Sequence, residues 1–103
     1  MQKGYQLTFF TLESRQHDSK SISIYLEEIA EKIGIFGITV VKASKGVGKD
    51  GKWHSASFFE LADQPIEIIM ILDEDKCTEL FNHLSKENLN LFYTKTAIEY
   101  GLV

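Results

Sequence analysis

The residues best suited to chemistry lie together in one segment, from Lys42 to His54. This segment holds three of the seven glycines, four of the eleven Lys and Arg residues, and the single tryptophan. Glycines let backbone N–H groups approach a ligand closely, and lysines around such a concavity attract anions. Between positions 42 and 52, four Lys and one Asp give a local charge of +3 on a chain of net charge −4. The segment therefore predicts a site for a small anion, with a solvated hairpin tip as the alternative.

The side chains next to the glycines have more than one possible use. Trp53 could stack on an adenine or on a partner protein, or it could fold back onto the core. His54 could take part in function or hold the loop backbone through a hydrogen bond. The pattern G-x-G-x-x-G at 46–51 does not indicate a dinucleotide site, because such a fingerprint must open a helix and this one leads into a strand.

Metal and catalytic chemistry have weaker support in the sequence. The possible metal ligands are His17, His54, His83 and Cys77. They are scattered and form no H-x-H or H-E-x-x-H pair, so we predict no metal site. Cys77 is instead expected to be a small buried hydrophobic residue. No serine is paired with a base at a readable spacing, so we predict no catalytic residue and a protein that is not an enzyme.

Composition predicts one domain covering residues 1–103. Hydrophobic residues make up 44% of the chain and charged residues 25%, as in ordinary globular proteins. The acidic balance argues against nucleic acid as a partner. A lone cysteine fits a reducing compartment, so we expect a cytoplasmic protein. The N-terminus has no hydrophobic signal region, and the longest apolar run, 68–72, is too short to span a bilayer, so no membrane insertion is expected.

Hydrophobic periodicity predicts six main elements. Residues 5–12 are rich in aromatic and β-branched types and predict a central strand. Apolar residues then recur at helical spacing between Ile22 and Ile33, and we expect Asp18 or Ser19 to cap this helix and Gly34 to end it. The remaining elements are strands at 35–43 and 91–99, a helix at 74–86, and a strand at 55–61 that resumes at 66–72 after a bend at 63–65.

This order, β-α-β-β-α-β, predicts an α+β protein of the ferredoxin-like type. In that fold a four-stranded antiparallel sheet carries two helices on one face. The strand at 66–72 is the most hydrophobic and should lie inside the sheet. The other sheet face should expose large aromatic residues, which predicts a homo-oligomer built through the sheet; candidates come from the pairs Phe9/Phe10, Phe58/Phe59 and Phe92/Tyr93.

Several motifs occur in the order found in one known family. They are Gly37-Ile38-Thr39-Val40, the turn Gly46-Val47-Gly48, His54, Phe58-Phe59-Glu60-Leu61, Pro65 and the apolar strand 66–73, preceded by a helix ending in Gly34. In these features, over nearly its whole length, the chain resembles the PII-like signalling proteins of the GlnB superfamily, and most closely a small prokaryotic branch of it.

The resemblance implies a homotrimer whose sheets face inward, with effector sites in the clefts between subunits. The effector would be a small anion, most simply an adenine nucleotide, and the loop 45–54 would engage a target protein that the sequence does not identify. Carried over by position, Gly46 and Gly48 would form the turn at the base of the loop, Lys42 and Lys45 would face phosphate, and His54 would lie at the return. The partner-binding part of the loop would include Lys49, Lys52 and Trp53.

Two departures from the family pattern affect nucleotide binding. Lys42-Ala43-Ser44 replaces an Arg-Gly-Ile segment, and so loses the bidentate grip of arginine on phosphate. A glycine-rich basic segment before the last strand is replaced by 86–90, Lys-Glu-Asn-Leu-Asn. Two alternatives therefore stay open: a metal-binding trimer like the copper-tolerance CutA proteins, and a dimeric ferredoxin-like enzyme that uses His54.

Overall fold

The structure is a computed structural model that describes residues 1–47, 51–55 and 63–103, with backbone alone at 54–55. Apolar periodicity and turn residues divide this part of the chain into eight strands and two helices. In chain order they are β1 Gln2–Leu12, β2 Gln16–His17, β3 Lys20–Ser21, α1 Ile22–Ile33, β4 Gly37–Lys42, β5 Lys45–Val47, β6 Trp53–Ser55, β7 Pro65–Leu72, α2 Glu74–Leu84 and β8 Phe92–Tyr100.

The main sheet has the strand order β4-β7-β1-β8, with every neighbour antiparallel. The two most apolar strands are central: Leu7 of β1 lies opposite Met70 of β7, and Phe9 opposite Ile68. All four of these side chains are 0–1% exposed. The predicted ferredoxin-like α+β fold, and the interior position of the strand at 66–72, are confirmed.

Helix α1 begins at a different cap from the one predicted. Ser21 is the N-cap, and its hydroxyl accepts a hydrogen bond of 3.2 Å from the Ile24 N–H. Asp18 and Ser19, the predicted caps, have φ of 52° and 65° because they form the tight turn between β2 and β3. The other end is as predicted, since Gly34 has φ 89° and closes the helix in the left-handed conformation.

Helix α2 begins after Asp73, whose side chain satisfies one of the free N–H groups of its first turn. The Asp73 carboxylate accepts a 2.8 Å hydrogen bond from the Lys76 N–H. The helix ends at Leu84, two residues before the predicted boundary, and a turn leads to Asn88, with φ 50°. Both helices pack on the sheet face that carries Leu7, Phe9 and Met70, where the core lies.

The predicted bend at 63–65 and the predicted strand at 55–61 are not confirmed. Pro65 begins β7 rather than forming a bend, which a strand tolerates because its first residue need not donate to the ladder. The predicted strand at 55–61 falls outside the described residues, apart from Ser55 at the end of β6. Neither described helix is long and apolar enough to cross a membrane.

Candidate functional site

A cleft of about 670 Å³ lies at the base of the glycine- and lysine-rich segment. It opens where the ends of β1, β7 and β8 meet β5. Its lining residues are Phe10, Thr11, Leu12, Arg15, Ala43, Lys45, Gly46, Val47, Pro65, Ile66, Glu67, Asn90 and Phe92. This cleft is the candidate functional site, because it combines an apolar wall with two cations.

The glycine-rich segment forms a two-stranded ribbon in place of a simple loop. Strand β5 pairs with β6, so that Gly46 lies opposite His54 and Val47 opposite Trp53. Gly46 is thus a strand residue and does not itself form the expected turn, although it lines the cleft. Gly48 and Lys49 lie outside the described residues. The backbone of His54 lies in β6, opposite Gly46.

Lys45 and Arg15 supply the positive charge of the cleft. Lys45 lines the cleft, and its ammonium group lies 5.6 Å from the centre of the Trp53 ring, within cation–π range. The Arg15 guanidinium donates to the backbone carbonyl oxygens of Leu89 and Asn90, the second at 3.4 Å. Sequence reasoning missed Arg15 because its position depends on a turn more than seventy residues away. The only sign was its charge in a polar stretch after β1.

Lys42 lies outside the lining of the cleft. Its ammonium group is 3.3 Å from Glu13 Oε1, and the two side chains are 58% and 39% exposed. The carboxylate therefore offsets the charge that was expected to face phosphate. Lys42 is still close in sequence to the cleft, because Ala43 lines it and donates a 2.9 Å hydrogen bond to the Pro65 carbonyl.

The apolar wall of the cleft has two aromatic rings at its centre. Phe10 of β1 and Phe92 of β8 lie opposite each other, with ring centroids 5.6 Å apart. They are 37% and 56% exposed, so flat surface is available to a ligand or to another subunit. Phe10 and Phe92 are the members of their predicted pairs that lie on the open sheet face, since Phe9 and Tyr93 pack towards Phe81 of α2.

The other side chains considered for chemistry lie elsewhere. Cys77 is buried in the core, as predicted, and burial raises the pKa of its thiol; Lys95 lowers this pKa and Glu74 raises it, both by less. His83 is exposed on α2. Trp53 is 66% exposed, and Lys52 is exposed beside it, where a partner could contact both.

Comparisons with known proteins show the family of this chain and support its fold. The model of the family DUF190, described as uncharacterized ACR, matches residues 4–98. The chain is 29% identical over 93 residues to a UPF0166 protein of Aquifex aeolicus strain VF5, a match that covers 90% of this chain and 89% of the relative.

Two solved structures that are similar to this chain both show CPII, a nitrogen regulatory PII-like protein from Thiomonas intermedia K12. In the complex with ADP, AMP and bicarbonate, CPII superposes with a TM-score of 0.69 and 17% identity, covering 97% of each chain. Its apo form gives a TM-score of 0.65 and 16% identity over 99% of this chain and 96% of CPII. At this level of identity the likeness shows a common fold.

Proposed function

The chain belongs to the DUF190 family and has the PII-like fold, and we propose that it is a regulatory protein that binds a small anionic effector in the cleft beside Lys45. The effector that the cleft fits best is an adenine nucleotide. Its binding would be reported to a target protein through the segment 45–54. In this proposal the protein is a sensor and has no catalytic residues.

One observation carries the proposal: the cleft places two cations beside two exposed aromatic rings. Lys45 and Arg15 can neutralise phosphate, while Phe10 and Phe92 offer a surface on which a base can stack. The sequence lacks the arginine that the family pattern has near position 42, but the cleft contains Arg15. Arg15 could supply the guanidinium that position 42 lacks, with its orientation set by the Leu89 and Asn90 carbonyl oxygens.

The volume of the cleft supports a nucleotide-sized ligand. Ligand sites of about 300–1,000 Å³ are typical for small molecules, and this cleft has about 670 Å³. The binding of ADP, AMP and bicarbonate by CPII, a protein of the same fold, also favours an adenine nucleotide here. Among the described residues of the lining, Glu67 is the one that is acidic, and it could contact a ribose hydroxyl or a cation carried by the nucleotide.

We also propose that the protein is a homotrimer assembled through the open face of the sheet. That face carries Phe10, Phe92, Ile69 and Ile71 between threonine side chains, and most of it has no covering element among the described residues. Phe10 and Phe92 border both this face and the cleft. A second subunit could therefore complete the cleft, so that effector binding and subunit contact would influence each other.

A thermal-shift panel tests effector binding most directly. It would use ATP, ADP, AMP and cyclic dinucleotides, each with and without bicarbonate and Mg²⁺. A ligand at a hundred times its Kd adds about 2.7 kcal/mol to stability, which for a domain of this size raises Tm by roughly 10 °C or more. We expect one adenine nucleotide to give such a shift.

The Lys45→Ala variant locates that binding. It should reduce the affinity about tenfold or more, because it removes a charge-assisted contact to phosphate. Lys32→Ala is the matched control, since Lys32 is an exposed lysine in the last turn of α1, away from the cleft lining. No shift with any nucleotide, or equal losses in both variants, would contradict the proposed function.

A further inference from the structure

A second cluster of side chains lies away from the cleft, around His17. His17 Nε2 is 3.5 Å from an oxygen of Asp18 and 3.5 Å from an oxygen of Glu87. One ligand atom from each of the three residues lies within 4.8 Å of the others. We refer to His17, Asp18 and Glu87 as the His17 cluster.

The fold holds the two halves of the cluster together independently of these three side chains. His17 and Asp18 lie in the β2–β3 hairpin, and Glu87 lies in the turn after α2, where its N–H donates to the Leu84 carbonyl at 3.0 Å. The hairpin and the turn are joined by Arg15, which donates to the Leu89 and Asn90 carbonyl oxygens. The cluster is thus formed by tertiary contacts and not by chance proximity of mobile chains.

Two polar atoms at the cluster have no hydrogen-bond partner among the described residues. They are His17 Nε2 and the Tyr25 hydroxyl, and both are inaccessible to solvent. Tyr25 is only 8% exposed, and its ring meets the His17 imidazole edge-on at 4.6 Å between centroids. Buried polar groups almost always have partners, so an unpartnered pair facing two carboxylates suggests a missing ligand.

From this arrangement we propose that the His17 cluster binds a divalent transition-metal ion of the Zn²⁺ type. His17 Nε2 and one oxygen each from Asp18 and Glu87 would be the ligands, and water would complete the coordination. Ligand atoms about 2.0–2.1 Å from a tetrahedral ion lie roughly 3.4 Å apart, close to the two 3.5 Å separations observed. The bound ion would give the His17 nitrogen the partner it lacks.

The donor set selects among metals. One imidazole and two carboxylates suit Zn²⁺ and Co²⁺, whereas Mg²⁺ prefers six oxygens and keeps most of its water. The two carboxylates would balance the charge of a divalent ion. The Tyr25 hydroxyl would then orient the Glu87 carboxylate by donating to its other oxygen, as outer partners of metal ligands commonly do.

The test is metal titration of the full chain, followed by calorimetry and by the visible spectrum of added Co²⁺. We expect one Zn²⁺ per chain, a Co²⁺ spectrum typical of nitrogen and oxygen ligands in a near-tetrahedral field, and no competition from Mg²⁺ in excess. In NMR spectra, the His17 imidazole nitrogens should shift on addition of Zn²⁺. Such a shift would locate the ion.

Three variants with matched controls make the assignment specific. His17→Gln and Glu87→Gln should each lower Zn²⁺ affinity by about a hundredfold or more, and Asp18→Asn should do so while keeping a residue that tolerates positive φ. His83→Gln and Glu79→Gln alter exposed residues of α2 outside the cluster and should leave affinity unchanged. No Zn²⁺ binding by the wild type, or binding that survives His17→Gln, would overturn the proposal.

This inference does not rest on the proposed function. None of the three ligands lines the cleft, so His17→Gln should leave any nucleotide-induced thermal shift in place. Nucleotide binding without metal binding would reject only the His17 site. Metal binding without nucleotide binding would reject only the effector proposal.

Discussion

Lys42 Nζ lies 3.3 Å from Glu13 Oε1, so one lysine of the glycine-rich segment is paired with a carboxylate at the end of β1. The next lysine along, Lys45, lines the cleft and lies over Trp53. Two lysines three residues apart thus have different electrostatic surroundings. The difference allows their contributions to anion binding to be separated by experiment.

We expect Lys45→Ala to weaken binding of the effector by about tenfold or more, and Lys42→Ala to weaken it less than threefold. A paired, exposed lysine contributes little to a distant anion because its charge is already offset and solvent screens it. Calorimetric titration of both variants with the best nucleotide from the panel would measure this. Equal losses would show that Lys42 leaves Glu13 to contact the phosphate.

The second prediction concerns stability and compares two glycines, Gly4 and Gly46. A Cβ on Gly4 would lie 2.3 Å from the Leu72 carbonyl oxygen and 2.9 Å from Tyr100 Cε1. Gly4→Ala should therefore destabilise the protein by about 1–3 kcal/mol, since backbone of the central strand β7 cannot move easily. Urea unfolding would give the value.

The matched control is Gly46→Ala. There a Cβ would meet Pro65 Cγ at 3.6 Å, which is ordinary contact. We expect a change within about 0.5 kcal/mol, or a slight gain from the less flexible unfolded chain. If Gly46→Ala folds well but loses effector binding, close approach of the Gly46 backbone to the ligand would be supported. Destabilisation equal to that of Gly4→Ala would contradict the steric argument.

The proposed trimer makes a third prediction. Ile69 lies at the middle of the open sheet face, between Thr8 of β1 and Thr39 of β4. Ile69→Lys would place a charge in a buried subunit contact, so it should convert the assembly to monomers. Sedimentation velocity of wild type and variant at matched concentration would show the change.

Ile24→Lys is the control for charge and for loss of an isoleucine. Ile24 is 51% exposed on α1, on the opposite side of the molecule from the open face. The Ile24→Lys variant should therefore have the same oligomeric state as the wild type. A wild-type monomer, or a trimer that survives Ile69→Lys, would show that the sheet face is not the subunit contact.

The main sheet and both helices could be predicted from sequence because their signals are local. Strand β7 is a continuous apolar run, and α1 carries apolar residues at helical spacing between Ser21 and Gly34. The cap of α1 was assigned wrongly for a related reason. Asp18 and Ser19 are good cap residues, but no local pattern indicates the hairpin that uses them as its turn.

The sites were harder to predict because they depend on contacts between distant parts of the chain. Lys45 and Gly46 were found through the local density of glycine and lysine. Arg15, Phe10 and Phe92 join them only when β1 and β8 pair, which spacing does not reveal. The His17 cluster needs Glu87, which reaches His17 only after α2 packs beside α1.

A fourth prediction concerns the buried thiol. Cys77 is 2% exposed, and burial raises its pKa, so the native protein should react slowly with thiol reagents at pH 8 and rapidly in denaturant. A raised thiol pKa also favours the folded state up to the unfolded pKa of about 8.5 and loses that contribution as pH rises further. Urea unfolding at pH 8 and pH 10 would measure the loss.

Cys77→Ala provides the comparison for that measurement. It has no thiol to ionise, so its stability should fall less between pH 8 and pH 10 than that of the wild type, even though the smaller side chain lowers stability at both values. Subtracting the loss of stability of Cys77→Ala from that of the wild type gives the contribution of the thiol alone, because the tyrosines and lysines that titrate in the same range are common to both proteins. Rapid labelling of the native protein would contradict the burial of Cys77.

The last prediction separates a structural tyrosine from one that orients a metal ligand. Tyr25→Phe removes a buried hydroxyl without a hydrogen-bond partner among the described residues. Because such a group costs about 1–3 kcal/mol when desolvated, the metal-free variant should be at least as stable as the wild type. Its Zn²⁺ affinity should nevertheless fall about tenfold to a hundredfold, because Glu87 loses the donor that orients it.

Tyr93→Phe is the control, since Tyr93 is 44% exposed and lies outside the His17 cluster. Tyr93→Phe should change neither the stability of the metal-free protein nor its Zn²⁺ affinity. The opposed signs expected for Tyr25→Phe, equal or greater stability without metal and weaker metal binding, could not arise from a general loss of packing. A variant that is less stable without metal and binds Zn²⁺ as tightly as the wild type would show that the hydroxyl serves the core.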